Sequence, residues 1–273
     1  MSNTELYTKK PLPSKLLIIG AVLTLIGAGM SAIAFAEDVQ RASFGLIIAL
    51  MLLISVGFGS LFLIALEYLV GADWSVPFRR ITEIVAATSI VAILVAIPLL
   101  LNLDQLFTWL RPELLQADKY VAKKAPYLND TFFLVRVIVA FLIMLAFYFI
   151  FSFRSFKQDS NPTEGFRKTS AKFSALFMPV FAITISVIAM DWMMSLNPKW
   201  FSTIFGVYYF AGSVLASLAV VTFIAITLGE NGYLNKKLNN DHYYNFGALM
   251  FAFTNFWAYI AFSQFLLIWY ANI

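Results

Sequence analysis

The sequence predicts an all-α, polytopic membrane protein, and three observations carry the prediction. Hydrophobic residues make up 61% of the 273 positions and charged residues 12%, with a mean hydropathy of +0.81. Seven long apolar runs alternate with shorter polar segments, and tryptophans stand at several of the junctions. A helix needs a run of about 20 apolar residues to cross the hydrocarbon of a bilayer, and a soluble core of this size has no room for seven such runs.

Residues 1–15 form a basic tail with Lys9, Lys10 and Lys15. The apolar stretch after it is too long for a signal-peptide core and lacks a clear cleavage site, so residues 16–35 read as a retained first span. Gly20, Gly27 and Gly29 give that span small-residue surface for close packing. Glu37, Asp38 and Arg41 form the first loop, and the second span covers 44–70, with Gly57 and Gly59 inside it and Glu67 near its end. The turn Gly71-Ala72-Asp73-Trp74-Ser75-Val76-Pro77-Phe78-Arg79-Arg80 places Trp74, Arg79 and Arg80 at headgroup level. The third span is expected over 81–101, with Glu83 in its first turn, where the positive helix end favours a carboxylate, and with Pro98 kinking or ending it.

Residues 102–130 are the longest loop, in which Leu106-Phe107-Thr108-Trp109-Leu110-Arg111-Pro112-Glu113 reads as a short interfacial helix. The fourth span covers 131–153, with Arg136 in its first two turns, placed to snorkel to the interface or to meet a buried acid. Arg154, Lys157, Arg167, Lys168 and Lys172 make 154–172 the densest basic loop. The fifth span covers 173–194 and carries Asp191 near its end; Trp192 and Trp200 bracket the following turn as interface anchors. The sixth span covers 201–229, a polar loop with Asn231-Gly232 and Asn239-Asn240-Asp241-His242 follows, and the seventh covers 245–270 with Asn255 and Gln264. With the N-terminus inside, twelve lysines and arginines fall on the cytoplasmic side and seven on the other, which favours a cytoplasmic N-terminus.

Absences narrow the chemistry. The chain has no cysteine and one histidine, His242, so it has no donors for a thiolate-ligated iron–sulfur cluster, a c-type haem or a bis-histidine haem. Its basic residues lie in separate loops and form no stripe for nucleic acid. It contains no Gly-rich phosphate loop and no Ser/His/Asp arrangement, hence no self-contained catalytic site.

The polar residues left within the spans separate by depth. Asp191, Arg136 and Gln264 fall towards the external side, and Glu67, Glu83 and His242 towards the cytoplasmic side. Acids near both faces suit proton half-channels, with hydroxyls such as Ser195, Ser202 and Tyr209 between them. For Asp191 three readings stay open: an architectural ion pair with Arg136, proton or quinol handling, and a lipid-facing position. Glu83 reads equally as a helix-start cap, and His242 as an ordinary interface histidine or a relay.

Four stretches are more specific than hydropathy: residues 71–80 as quoted above; Lys124-Ala125-Pro126-Tyr127-Leu128-Asn129 with Phe132-Phe133 and Arg136; Asp191-Trp192-Met193-Met194-Ser195-Leu196 with Trp200-Phe201-Ser202 to Tyr208-Tyr209-Phe210-Ala211-Gly212; and Phe256-Trp257-Ala258-Tyr259 to Trp269-Tyr270-Ala271-Asn272-Ile273. On these, residues 44–273 resemble the NrfD/PsrC-like integral membrane subunits of bacterial alternative complex III, a quinol:cytochrome c oxidoreductase, and the second of its two such subunits in particular. The resemblance implies a bacterial inner-membrane location. It also implies an initial helix (1–42), a first four-helix bundle (43–195) and part of a second (196–273), the chain being a partial sequence. By the same resemblance quinol or menaquinol is oxidised near the external side. Electrons would then pass to a periplasmic iron–sulfur subunit and multihaem cytochrome subunits, which hold the haem and clusters, and a sister NrfD-like subunit shares quinone binding and proton conduction. Asp191 and Arg136 would belong to the external-side polar site, and Glu67, Glu83 and His242 to a cytoplasmic-side proton route. The chain departs from the family at Tyr244, Asn245 and Ala248, where members usually carry a histidine, an acid and a lysine. A structural scaffold in the same complex and an independent secondary transporter are the rival readings.

Overall fold

The computed structural model describes residues 13–72, 74–111, 119–160, 164–234 and 240–271. Residues 1–12 with Lys9 and Lys10, Asp73, Pro112 and Glu113, Asn239, and Asn272 with Ile273 lie outside the described residues. The α-helices are α1 (Ser14–Glu37), α2 (Val39–Val70), α3 (Arg79–Ala86), α4 (Thr88–Leu100), α5 (Leu103–Leu106), α6 (Lys119–Lys123), α7 (Asp130–Ser160), α8 (Glu164–Ile188), α9 (Phe205–Glu230) and α10 (Asn240–Ala271). Among the described residues seven helical stretches are long and apolar enough to cross a bilayer; the third joins α3 and α4, and the fifth runs from α8 to Leu196. The chain is a multi-pass, all-α membrane protein. The spans alternate in direction, so the face where α1 begins (the entry face) also holds the ends of α2, α7 and α9. The far face holds the ends of α1, α4 and the fifth span, and the starts of α7 and α9.

The second span is the axis of the assembly. It packs against α1, α3, α4, α7, α8 and α9. Two glycines make the approach possible: a side chain on Gly57 would run into Thr88 and Ser89, and one on Gly59 into Ser213 and Ser217. Lipid tails are as apolar as leucine, so burial alone does not drive helices together in a bilayer; close van der Waals contact and interhelical hydrogen bonds do. Both are present at this crossing. The Ser217 hydroxyl donates to the Val56 carbonyl at 2.8 Å, and the Tyr209 hydroxyl donates to the Met51 carbonyl at 2.7 Å. One buried cluster, with Phe58, Phe133, Phe177, Phe181 and Trp192, fills the space between α2, α4, α7 and α8. A smaller one, with Phe78, Val85, Leu218 and Phe246, lies between α2, α3, α9 and α10. By contrast α1 buries no residue.

The helices outrun their apolar cores. The fourth span continues from 153 to Ser160, the fifth begins at Glu164, and the seventh begins at Asn240, because hydropathy marks only the hydrocarbon section and charged turns extend the helix into the headgroup layer. Asp38 does not open a loop; its side chain accepts from the Arg41 amide and caps α2 one residue after α1 ends. Helix continuity also moves Glu83: the third span starts upstream at Val76, so Glu83 is not in the first turn and is buried. Pro98 sits inside α4 without ending it. The break in this span falls instead at Ala87, beside Gly57.

Four residues expected at the surface are interior. Trp192 is fully buried, leaving Trp200 as the exposed member of that pair. Residues 106–111, the described part of the expected interfacial helix, do not run on as an α-helix. Α short 3₁₀ turn at Thr108–Leu110 folds Phe107 and Trp109 inward, where they meet Phe133 with ring centroids 5.1 Å and 5.9 Å away. Arg79, expected among headgroups, is buried in an ion pair.

The α2–α9 crossing gives a direct test. Gly59→Val is expected to lower the thermal midpoint of the detergent-solubilised protein, an overpacking cost of about 1–3 kcal/mol. Gly20→Val on α1, where a side chain would meet nothing within 4 Å, should leave it unchanged. Equal midpoints for the two variants would contradict the close crossing.

Candidate functional site

At the far face, the fifth span does not end as a regular α-helix. Ala189–Met193 form a π-helical turn, followed by a 3₁₀ turn at Met194–Leu196. A π-turn inserts an extra residue into the ladder and re-aims the side chains around it, which is why such turns recur at functional sites. Here it holds Asp191, 1% exposed, against the start of α7. Arg136 grips the carboxylate with two parallel bonds, Nε to Oδ2 at 2.7 Å and Nη2 to Oδ1 at 3.0 Å. The Tyr127 hydroxyl donates a third bond to Oδ1 at 2.9 Å, and Arg136 Nη1 donates to the Tyr127 carbonyl at 3.0 Å. The guanidinium lies 3.9 Å from the Tyr127 ring centroid and 4.4 Å from that of Phe132. Charge-assisted, bidentate bonds of this kind are the strong ones, and aromatic faces add cation–π attraction. Asp191 and Arg136, both singled out in the sequence, therefore meet directly.

A cleft of about 390 Å³ opens beside this clamp, lined by Tyr127, Leu128, Met190, Met194, Ser195, Trp200 and Phe201. Lys124 closes one side: its ammonium donates to the Pro198 carbonyl at 2.6 Å and lies 5.7 Å from the Phe201 ring centroid. The lining residues are apolar except for Tyr127, Ser195 and the lysines, so the cleft has a few polar residues at the edge of a greasy wall. Burial pushes the Tyr127 phenol up to about 12, helped by the neighbouring Asp191 charge and opposed by Arg136. The hydroxyl is thus held protonated as a donor.

A second ionic cluster occupies the entry face. Arg79 pairs with Glu67, Nε to Oε1 at 2.5 Å, and its guanidinium stands 4.6 Å from the Tyr68 ring centroid. Arg80 bridges Glu83 and Asp159, so α3 is tied to the end of α7. Glu83 and Ser155 are both buried, with the Ser155 hydroxyl beside the Glu83 carboxylate. Glu67 also lines a small cavity of about 160 Å³ with Trp74, Thr82, Leu218 and Phe246. His242 sits near this face with its ring 6.2 Å from that of Phe78.

The remaining expected residues are placed differently. Gln264 does not join Asp191; it accepts from the Ser202 hydroxyl, fastening α10 to the turn before α9. The hydroxyls expected between the two faces are committed elsewhere, Ser195 to the Asp191 carbonyl and Tyr209 to the Met51 carbonyl. Two members of the clusters escape a reading of spans alone. Tyr127 lies in a loop, and Asp159 lies in a stretch dominated by lysines and arginines; the signal for Asp159 is that α7 continues to it. Among the described residues no group of three or more histidine, aspartate or glutamate side chains is arranged to hold a metal ion. No protein-family model matches the chain, and no match to a curated protein was found.

The raised Tyr127 value has a definite sign. Unfolded tyrosine ionises near about 10, whereas in the fold Tyr127 keeps its proton to about 12. Its contribution to stability is therefore complete below the unfolded value and is lost as pH climbs through this window. Denaturant titrations between the two values should show a steeper alkaline loss for the parent chain than for Tyr127→Phe, and parallel curves would contradict the buried donor.

Proposed function

We propose that the chain is an integral membrane subunit of a quinol-oxidising respiratory complex in a bacterial inner membrane, with its N-terminus cytoplasmic. Its proposed neighbours are a sister NrfD-like subunit, a periplasmic iron–sulfur subunit and multihaem cytochromes. The observation that carries this reading is the far-face cleft next to the Asp191–Arg136–Tyr127 clamp. Quinol headgroups need a flat apolar slot with one or two hydrogen-bonding groups, which fits a wall of Met190, Met194 and Phe201 edged by Tyr127 and Ser195.

On this reading the division of labour follows from the donor set. Oxidation of a quinol to a quinone releases two electrons and two protons. With no cysteine and one histidine, this chain passes the electrons to clusters and haem in partner subunits. Its own part is to seat the ring, to hold a hydroxyl through Tyr127, and to let Asp191 take up and release a proton as its bonds to Arg136 and Tyr127 rearrange. The entry-face cluster of Glu67, Glu83 and Asp159, with His242 nearby, would serve proton movement on the cytoplasmic side. The scaffold reading is favoured by a specific feature: three side-chain N–H and O–H groups already hold the Asp191 carboxylate, as in an architectural pair.

Asp191→Asn and Tyr127→Phe, introduced into the assembled complex, separate the two. The proposed role predicts a loss of quinol:acceptor turnover of tenfold or more in complexes that still co-purify with all subunits, with reduced proton uptake. Unchanged turnover and proton uptake for both variants in intact complexes would leave only the scaffold. Tyr127→Phe keeps the Arg136 pair in place, so it remains informative if Asp191→Asn prevents assembly.

A further inference from the structure

A third cationic site lies on the hairpin between α7 and α8, and no acid among the described side chains answers it. Arg154 stands six residues before the end of α7 at Ser160, about 9 Å along the helix axis. Its Nε donates to the Ser170 hydroxyl at 3.1 Å and its Nη2 to the Phe166 carbonyl at 3.3 Å. The guanidinium is flanked by Phe166 and Phe173, with ring centroids 5.7 Å and 5.3 Å away. Lys157, one turn further on and exposed, has its ammonium 4.5 Å from the Phe153 ring centroid.

The contrast with the arginines of the two ionic clusters is the informative point; half-buried Arg111 at the far face also holds no carboxylate among the described residues and donates to the Asp104 carbonyl. Arg79, Arg80 and Arg136 each hold a carboxylate; Arg154 and Lys157 hold none among the described residues. Arginine has five N–H donors, and α8 engages only Nε and Nη2, fixing the guanidinium plane while Nη1 makes no hydrogen bond among the described residues. A half-buried guanidinium held rigid and lacking a counter-charge is a preorganised anion site. Its depth sets the kind of anion. Towards the membrane interior the outer side of α7 continues as Phe153 and Phe149, 61% and 57% exposed, an apolar track that a free anion in water would not use.

We propose that this hairpin binds one anionic phospholipid of the entry-face leaflet. The phosphodiester sits between Arg154 and Lys157, and an acyl chain runs along Phe153 and Phe149. A zwitterionic lipid brings its own ammonium towards the two cations and binds less well. This site is independent of the quinol reading, since it shares no residue with the far-face cleft.

The test is native mass spectrometry of the full chain released from nanodiscs of equal phosphatidylglycerol and phosphatidylcholine. The parent chain should retain phosphatidylglycerol in preference to phosphatidylcholine, and Arg154→Gln/Lys157→Gln should lose that preference by tenfold or more. Lys157→Gln alone, a change at an exposed residue, should show a smaller loss in a chain of unchanged thermal midpoint. Lys119→Gln on the far face should behave as the parent. Equal retention of both lipids by the parent, or parent-like retention by Lys157→Gln and the double variant, would overturn the proposal. So would displacement of the bound lipid by millimolar inorganic phosphate, which would mark a site for free anions.

Discussion

A carboxylate buried at the end of an apolar helix is stable only where a cation and hydrogen-bond donors meet it, and Asp191 has both. Removing an ion from water costs several kcal/mol even after relaxation, and in a bilayer the alternative to a partner is a charge in or near hydrocarbon. The Arg136 fork and the Tyr127 hydroxyl answer that requirement. In doing so they join three separate parts of the chain: the loop before α7, the first turns of α7 and the π-turn after α8. Irregular backbone at Ala189–Met193 is affordable because the side chain it re-aims lands in this clamp.

The same rule, applied at the other face, explains why α7 holds its place. Arg136 near its start is tied to Asp191, and Asp159 near its end is tied to Arg80. The 23 residue steps from Arg136 to Asp159 correspond to about 35 Å of helix, close to the hydrocarbon thickness of about 30 Å. Ionic contacts thus pin both ends of one span, while its middle packs through Phe141, Met144 and Phe147. Between the two charged layers the crossings rest on small residues, Gly57 and Gly59 against Thr88, Ser89, Ser213 and Ser217. Charges among the described residues are confined to the faces, and the hydroxyls of Ser89, Tyr209, Ser213 and Ser217 go to backbone carbonyls.

Hydropathy made the spans legible because a bilayer allows so few solutions for an apolar run of this length. It also offered Asp191 and Arg136 as partners, one of three readings open for the acid, since the two opposite charges fall at one depth on neighbouring spans. What it did not reveal was where an aromatic residue near a junction would turn. Trp109 and Trp192 have the composition of belt residues, yet the 3₁₀ and π turns that bury them depend on packing against Phe133. The break at Ala87 was equally hidden; it falls just before Thr88 and Ser89, which pack against Gly57 of α2. Arg79 and Glu67, twelve positions apart, read as a headgroup residue and a deep acid until the turn at Gly71, with φ of 65°, brings them together. Left-handed geometry of that kind suits glycine.

The central claim is that Asp191 and Arg136 act as one unit, and a double-mutant cycle on the thermal or denaturant stability of the solubilised chain measures it most directly. Breaking a buried pair from one side should cost about 3–5 kcal/mol for Arg136→Gln or Asp191→Asn. The double variant should be more stable than the sum of those losses implies, with a coupling of about 1–3 kcal/mol. Strictly additive losses would mean that the two residues do not depend on each other, and the clamp would no longer account for the far face.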